Sequence, residues 1–229
     1  YDIDLSARMV KAIREAVGSR ADILFGTHGQ FTASGALRMA RAIEPYDPLW
    51  FEEPVPPDMP EVMAQVARGT SIPIATGERL TTKFEFARVI EMRAATILQP
   101  DLGRSGGILE TKKIADYGER YGIPTALHCA GSPIGFMANV HCAAAIPSFV
   151  AQEHHGLDLP FWESLVTGLD KDYMADGYVK VPEKPGLGVD LNLEAIEANL
   201  RTPGTLFLPT EEWNTPKLGF WRPDDRWKE

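Results

Sequence analysis

The sequence predicts an α/β fold of the (β/α) barrel kind, on three observations. Six short apolar runs each end in a polar or special residue, and these endpoints recur every 23 to 27 positions along the 229 residues. Helix-length stretches with apolar residues at helical spacing lie between the runs. The connections are a few residues long, which is typical of parallel strands joined by helices. In a parallel barrel the carboxyl ends of the strands meet at one mouth, so the endpoint residues are expected to meet there.

Each element is predicted from its own apolar pattern and its flanking residues. Gly18 is a suitable residue to end the first helix, and Thr32 is a candidate N-cap of the second. Pro45 and Pro48 separate that second helix from the strand that follows. The predicted strands cover residues 23–25, 49–51, 72–76, 96–99, 124–127 and 148–151. The predicted helices cover residues 5–17, 33–43, 62–68, 84–90, 108–121 and 134–145.

The number of strands predicts an incomplete barrel. A closed barrel of this kind has eight strands, whereas the pattern gives six. We therefore expect two strands, and any domain before them, to be absent from this chain, which opens at Tyr1 directly into a helix. Residues 1–155 are predicted to form a partial barrel that carries the catalytic strand ends. Residues 156–229, rich in Pro, Trp and charged residues with a helical piece at 193–200, are predicted to hold the last barrel elements and a C-terminal extension.

The composition excludes several classes of protein. A net charge of -9 with no basic run argues against a nucleic-acid-binding surface. The two cysteines, Cys129 and Cys142, are too few for a disulfide framework and indicate a reducing compartment. No apolar stretch approaches the roughly 20 residues of a membrane span, and no signal peptide is visible, so no membrane partner is expected. These features predict a soluble, cytoplasmic protein.

Glu52 and Glu78 form the strongest candidate pair. Each follows an apolar run directly, which is expected to bring both carboxylates to the same rim, one strand apart. Two carboxylates so close repel each other unless one is protonated or a cation bridges them, and oxygen ligands suit Mg²⁺. The alternative is a pair of surface acids at the starts of loops. Glu53 faces the other way by strand alternation and is predicted to buttress the barrel wall.

Asp101, His128 and Glu153 follow the next three apolar runs. A carboxylate on a neighbouring strand can accept the imidazole N–H of His128, which leaves the other ring nitrogen to act as a general base. A satisfied structural histidine is the alternative for His128. Glu153 is predicted to hydrogen-bond a developing oxyanion, as a neutral acid or through a neighbouring group. Its alternative is an ion pair with a nearby Arg or Lys.

Three other sequence features are not predicted to take part in catalysis or in metal binding. His154 and His155 lie beside Glu153, but adjacent residues on a strand face opposite ways and no zinc-ligand spacing is present. The glycine-rich segment 103–107 lacks the dinucleotide fingerprint and is predicted to be a tight strand-to-helix turn. Cys129 has no separate activating base and is predicted to be a packing residue.

The strand ends also carry a set of motifs in a fixed order. They are Trp50-Phe51-Glu52-Glu53-Pro54, Thr76-Gly77-Glu78, Gln99-Pro100-Asp101, Ser105-Gly106-Gly107, His128, Glu153 and, in the tail, Pro185-Gly186-Leu187-Gly188-Val189. In order and spacing, over essentially the whole chain, this set resembles the enolase superfamily, specifically the mandelate racemase subgroup and its acid-sugar dehydratases.

The resemblance implies a (β/α)7β TIM-like barrel of the enolase type, of which this chain holds strands 3–8 and the C-terminal extension. A capping domain would be built from the missing N-terminus and part of the tail. The resemblance implies that Glu52 and Glu78 bind Mg²⁺, that Asp101 and His128 form the general-base dyad, and that Glu153 assists the enolate. It also implies a small-molecule carboxylate substrate, an aldonic or aldaric acid, and a homo-oligomer.

The chain departs from the family pattern at Gly26. The family's third metal ligand is usually an Asp at this strand end, before the strand of Glu52. His28 lies two residues on and so is expected to face the same way. It is similar to the histidine that galactonate and mannonate dehydratases carry there as a general acid. Without the Asp, His28 is predicted to serve as the third metal ligand, with general acid as the alternative and packing under the capping domain as the structural one.

The implied activity is that of a Mg²⁺-dependent lyase. Such an enzyme abstracts the proton α to the carboxylate of a sugar acid and eliminates water to give a 2-keto-3-deoxy acid. Two alternatives stay open. One is a racemase or epimerase of the same subgroup, which needs a second base on a missing strand. The other is a non-catalytic, metal-poor relative that acts as a binding or sensor protein, and Gly26 is its best support.

Overall fold

Six parallel strands form the main sheet, in the order in which they occur along the chain. The computed structural model describes residues 2–156 and 158–208. The strands are β1 (Leu24–Gly26), β2 (Trp50–Glu52), β3 (Ile74–Thr76), β4 (Ile97–Leu98), β5 (Thr125–Leu127) and β6 (Phe149–Gln152). Every neighbouring pair is parallel. The predicted partial barrel of six parallel strands is therefore confirmed.

A helix connects each strand to the next, as the sequence predicts. The helices are α1 (Asp2–Val17), α2 (Ala33–Ile43), α3 (Pro60–Arg68), α4 (Lys83–Glu91), α5 (Leu102–Ser105), α6 (Gly107–Arg120) and α7 (Pro133–Ala144), with α8 (Leu193–Ala198) in the tail. The Thr32 side chain caps α2 by accepting from the N–H of Gly35. Gly18 ends α1 with φ +57°, a left-handed conformation that favours glycine. None of the described helices is both long and apolar enough to cross a membrane.

The two faces of the main sheet bury different residues, because side chains alternate along each strand. Phe51, Ile74 and Leu98 belong to the large core cluster that the helices cover. Trp50, Ala75, Ile97 and Ala126 form a separate small cluster on the other face, the interior of the barrel. The alternation decides where the next polar side chains go. Glu52 shares the face of Trp50, whereas Glu53 faces the other way.

The segment after β4 differs from its prediction. The glycine-rich residues 103–107 were expected to form one tight turn, but α5 occupies the first part of the segment. Gly106, with φ +100°, then redirects the chain into α6. The N-terminus of α5 is capped by Asp101, whose side chain accepts from the N–H of Gly103 at 2.7 Å.

The tail contains more regular structure than the sequence pattern indicated. β7 (Val166–Thr167) pairs with β10 (Asp190–Leu191), and β8 (Met174–Ala175) pairs with β9 (Tyr178–Val179), both antiparallel. Strands of two residues carry no readable periodicity. They pair with each other and not with the main sheet. Of the predicted extension at 156–229, Leu157 and residues 209–229 lie outside the described residues, as does Tyr1 at the start of the chain.

Candidate active site

A polar pocket lies at the carboxyl ends of the parallel strands, and its volume is about 540 Å³. The end of every strand contributes to its lining, through Gly26, Glu52, Glu78, Gln99, His128 and Glu153. The pocket is also lined by five of the six predicted site residues, namely His28, Glu52, Glu78, His128 and Glu153. The sixth, Asp101, contacts His128 from the side. The structure therefore brings the predicted residues together in one place.

Glu52, the last residue of β2, faces this pocket with a fixed carboxylate. Its Oε2 accepts hydrogen bonds from the indole Nε1 of Trp50 at 3.1 Å and from the amide Nε2 of Gln99 at 2.6 Å. Its Oε1 accepts none within the part of the chain that the structure describes, and it lies toward Gly26. A Cβ added at Gly26 would stand 4.0 Å from that oxygen. One oxygen is thus held by two donors while the other is left for a ligand.

The side chain of Glu53 points away from the pocket, which confirms its predicted structural role. The residue is fully buried and its Oε2 accepts from Nε of Arg79 at 2.7 Å. Burial raises the pKa of Glu53, although the charge of Arg79 opposes this effect. A buried carboxylate with a paired guanidinium supports the wall of the barrel and has no access to a substrate.

Glu78 lies between two histidines. It follows β3 by two residues, and its side chain is 13% exposed. Its Oε2 is 3.3 Å from Nε2 of His128, and its Oε1 is 4.0 Å from Nε2 of His28. His28 itself sits in the turn after β1 with φ +49°, and its side chain is 67% exposed. His28 therefore reaches the rim of the pocket on the side of Glu78.

Asp101 and His128 form the predicted imidazole–carboxylate pair. An isolated parallel bridge joins their backbones, and Nδ1 of His128 lies 2.7 Å from Oδ2 of Asp101. Burial alone would raise the pKa of Asp101, but the hydrogen bond and charge of His128 outweigh it and the pKa is lowered. An ionised carboxylate can only accept, so Nδ1 carries the proton and Nε2 faces the pocket.

The surroundings of His128 favour its protonated form. Burial tends to lower the pKa of this imidazole, but the hydrogen bond to Asp101 and the charges of Glu153 and Glu78 act in the opposite direction. The net result is a raised pKa. A more basic imidazole is a stronger proton acceptor, which suits abstraction of a proton from a weak carbon acid.

Glu153 continues the direction of β6 and reaches the same pocket. Its Oε2 accepts from the backbone N–H of Cys129 at 2.9 Å and lies 3.5 Å from Nε2 of His128. Its Oε1 is 2.7 Å from Nε2 of His155. The alternative of an ion pair with Arg or Lys is not what this geometry shows, because the partner is an imidazole. Cys129 is buried, and burial raises the pKa of its thiol, in agreement with a packing role.

The donor set of the pocket fits a hard divalent cation. No group of three or more His, Cys, Asp or Glu residues close enough to hold a metal is found in residues 2–156 and 158–208. Glu52 and Glu78 nevertheless present two carboxylates to one cavity. Mg²⁺ is commonly bound by one or two carboxylates and completes its shell with water and substrate oxygens. The residues present therefore fit Mg²⁺ as a two-carboxylate site.

Four residues of the pocket were not assigned a role from the sequence. Trp50 and Gln99 orient Glu52, and His155 contacts Glu153. Arg104 is the single Lys or Arg among the described residues that line the pocket. A usable signal existed for Trp50, which lies two residues before Glu52 and so shares its strand face. The role of Gln99 could be predicted only with the strand order known, because its side chain reaches Glu52 across β3.

Comparisons with known proteins give an independent view of this site. A family model described as enolase C-terminal domain-like matches residues 2–196. A D-xylonate dehydratase from Haloferax volcanii is 45% identical over 206 residues, which cover 90% of this chain and 50% of that protein. A D-galactonate dehydratase from Variovorax paradoxus is 34% identical over 97% of this chain and 57% of its own length. The chain thus spans about half the length of the curated relatives it matches.

Solved structures agree with the sequence relatives. A crystal structure of a mandelate racemase/muconate lactonizing enzyme from Jannaschia sp. CCS1 is 50% identical and superposes with a TM-score of 0.82. The match covers 91% of this chain and 53% of that one. A corresponding protein from a Sulfitobacter species, 48% identical, gives a TM-score of 0.82 over 90% of this chain and 51% of that one. The resemblance inferred from the strand-end motifs, and the enolase-type barrel that it implies, are confirmed.

Proposed function

Because the chain belongs to the enolase C-terminal domain-like family, we propose that it carries the base-and-metal site of an acid-sugar dehydratase. The reaction is removal of the proton α to a carboxylate and loss of the β-hydroxyl as water, which gives a 2-keto-3-deoxy acid. One observation carries the proposal. The His128–Asp101 pair, with its 2.7 Å contact, opens onto the cavity that also holds Glu52 and Glu78.

His128 is the proposed base. Asp101 accepts a hydrogen bond from Nδ1–H, so the lone pair on Nε2 is directed to the pocket. That nitrogen takes the α-proton of the sugar acid. Asp101 then stabilises the imidazolium that forms, because its carboxylate stays ionised and hydrogen-bonded.

Glu52 and Glu78 are the proposed Mg²⁺ ligands. When bound, the cation stabilises the negative charge that develops on the substrate carboxylate as the α-proton leaves. Trp50 and Gln99 keep Oε2 of Glu52 occupied, so that Oε1 is the ligand oxygen. Glu153 can hydrogen-bond an oxygen of the same substrate carboxylate only as a neutral acid. As an ionised carboxylate, its Oε2, 3.5 Å from Nε2 of His128, stabilises the imidazolium that forms there.

His28 has two proposed roles, as a metal ligand or as a general acid. Its Nε2 lies 4.0 Å from Oε1 of Glu78, and its exposed side chain would have to move into the pocket to act as a third ligand. As a general acid it would instead protonate the leaving β-hydroxyl.

Four other predictions are not tested by the structure or the comparisons. They are the boundary at 155/156, the return of the tail to a capping domain, the homo-oligomer and the cytoplasmic location.

The named relatives support a class of substrate. Dehydratases of D-xylonate and D-galactonate are the proteins to which the chain is similar. We therefore propose an aldonic acid as substrate. An acidic cavity with one lining arginine, Arg104, accepts such an anion when a divalent cation balances the carboxylates.

The experiment measures exchange of the α-proton with solvent deuterium and formation of the 2-keto product, on the natural protein at its full length with Mg²⁺ present. D-Xylonate and D-galactonate are the first acids to screen. We expect His128→Asn to abolish both signals. His141→Asn is the control, because His141, on α7, contacts the carbonyl of Leu187 in the tail and does not line the pocket. Exchange that persists in His128→Asn would assign the base elsewhere.

Further outcomes separate the alternatives. Exchange without a 2-keto product would point to a racemase or epimerase. A wild-type protein with neither signal and no Mg²⁺ binding in a titration would point to the non-catalytic relative. Loss of Mg²⁺ binding in Glu52→Gln and Glu78→Gln, with binding intact in the surface variant Glu61→Gln, tests the ligand assignment directly.

A further inference from the structure

A second imidazole–carboxylate pair faces the pocket beside the first. Nε2 of His155 lies 2.7 Å from Oε1 of Glu153, and both residues line the cavity. The proposed reaction uses Glu153 but assigns nothing to His155. This N···O distance equals that of the His128–Asp101 pair. The contact between His155 and Glu153 is therefore a candidate for a functional role.

The carboxylate of Glu153 is held at both of its oxygens. Oε2 accepts from the backbone N–H of Cys129 at 2.9 Å, and that oxygen lies 3.5 Å from Nε2 of His128. Oε1 has His155 as its hydrogen-bond partner, and no other is found among the described residues. An ionised carboxylate can only accept, so His155 donates through Nε2–H. Removal of His155 leaves one of the two restraints.

The fold determines that His155, and not its neighbour, faces Glu153. The ring of His154 packs into an aromatic cluster, 4.4 Å from the ring centroid of Phe136 and 4.8 Å from that of Trp162. Its Nδ1 accepts from the N–H of Gly156 at 3.1 Å. With His154 anchored on the tail side, His155 lies on the other side of the chain, where it lines the pocket together with Glu153.

We propose that His155 is a positioning residue for Glu153, an inference that rests on the proposed dehydratase function. Its Nε2–H keeps the carboxylate of Glu153 turned toward His128, so that Oε2 stays close to Nε2, 3.5 Å away, where positive charge develops as His128 takes the α-proton. Side chains that orient a reacting group in this way typically change activity by about 10- to 100-fold when removed. The effect is expected in the transition state and not in ground-state binding, because the contact serves the developing charge.

Three variants of His155 separate a hydrogen-bond role from a packing role. His155→Gln places an amide N–H near the position of Nε2 and is expected to retain activity within about threefold of wild type. His155→Asn is too short to reach Oε1, and His155→Phe keeps the ring without the donor. Both are expected to lower kcat and kcat/KM by about 10- to 100-fold while KM changes little. Equal activity of the Gln, Asn and Phe variants would overturn the proposal.

A double-mutant cycle tests whether His155 acts through Glu153. In the Glu153→Gln background, His155→Phe is expected to cause no further loss, since the group that it positions is already altered. Independent, multiplicative losses would overturn the proposal. The control substitution His141→Asn in the same background is expected to leave activity unaltered, because His141 lies outside the pocket.

A measurement that needs no turnover keeps the contact distinct from the proposed function. In protein with ¹⁵N-labelled histidine, Glu153→Gln is expected to shift the ring resonances of His155 more than those of His141. Unshifted His155 resonances would overturn the contact itself. If wild type is inactive on every sugar acid while the resonances shift, the proposed function fails and the His155–Glu153 contact stands by itself.

Discussion

Restoring an acid at Gly26 is the sharpest test of how the pocket holds a cation. The backbone of Gly26 is outside the left-handed region, so any residue can adopt its conformation. A Cβ at this position would be 4.0 Å from both Cβ and Oε1 of Glu52, an ordinary van der Waals distance. Gly26→Asp is therefore sterically permitted, and it adds a third carboxylate beside the proposed ligand oxygen. We expect it to tighten Mg²⁺ binding.

The gain comes from the attraction between the new carboxylate and the cation, because Glu52 carries the same sign of charge and only repels it. Two unit charges about 4 Å apart near a protein surface interact by about 4 kcal/mol. The new carboxylate of Gly26→Asp replaces a water ligand and loses rotamer freedom, which offsets part of this attraction. We expect a net gain of about 1.4–2.8 kcal/mol, equal to about 10- to 100-fold in Kd. Without Mg²⁺ the same carboxylate repels Glu52 and lowers the stability of the fold.

Calorimetric titration with MgCl₂ measures the binding, and Gly26→Asn is the matched control, with nearly the same shape and no charge. We expect the Asp variant alone to bind more tightly. In thermal unfolding, Gly26→Asp should melt below Gly26→Asn without Mg²⁺ and above it with saturating Mg²⁺. Equal Mg²⁺ affinities of the two variants would refute the placement of the cation beside Glu52.

Two further substitutions test the base and the packing. Asp101→Asn should keep the fold, as seen by circular dichroism, but lower kcat by about 10⁴-fold, because the amide can donate to Nδ1 and so favours the wrong tautomer of His128; activity near wild type would show that the pair is structural. Gly118→Ala should lower the free energy of unfolding by about 1–3 kcal/mol in urea titrations, because its Cβ would stand 2.6 Å from Cδ1 of the fully buried Leu98. The control Gly135→Ala, whose Cβ would have its nearest neighbour at 3.6 Å, should cost nothing measurable, and an equal loss in both variants would contradict this reading of the contact.

The main sheet and the site residues were predictable for one physical reason. Parallel strands bring their carboxyl ends to one edge, so the residue that ends an apolar run is placed without knowledge of side-chain contacts. Glu52, His128 and Glu153 reached the same pocket on that basis. Glu53 was likewise placed in the wall by alternation, and it is fully buried there.

What the sequence could not provide depends on contacts between distant side chains. Gln99 reaches Glu52 across the strand between them, and nothing local in either segment indicates it. An ion pair with Arg or Lys was the alternative predicted for Glu153, but the chain after β6 folds so that His155 is the partner of Oε1. That outcome depends on the tail, where Trp162 and Tyr173 complete the cluster around His154.

The charges of the pocket connect the two proposals. Glu52, Glu78 and Glu153 line a cavity with Arg104 as the one lining Lys or Arg among the described residues. An anionic substrate placed there would be repelled unless positive charge is supplied. A divalent cation at Glu52 and Glu78 offsets one side of the pocket. On the other side the N–H groups of His155 and Cys129 are directed at Glu153, and this pairing reduces the field that its carboxylate presents to the substrate. Glu78 and Glu153 approach Nε2 of His128 to 3.3 Å and 3.5 Å, so the proposed cation and His155 both act on the charges that surround the proposed base.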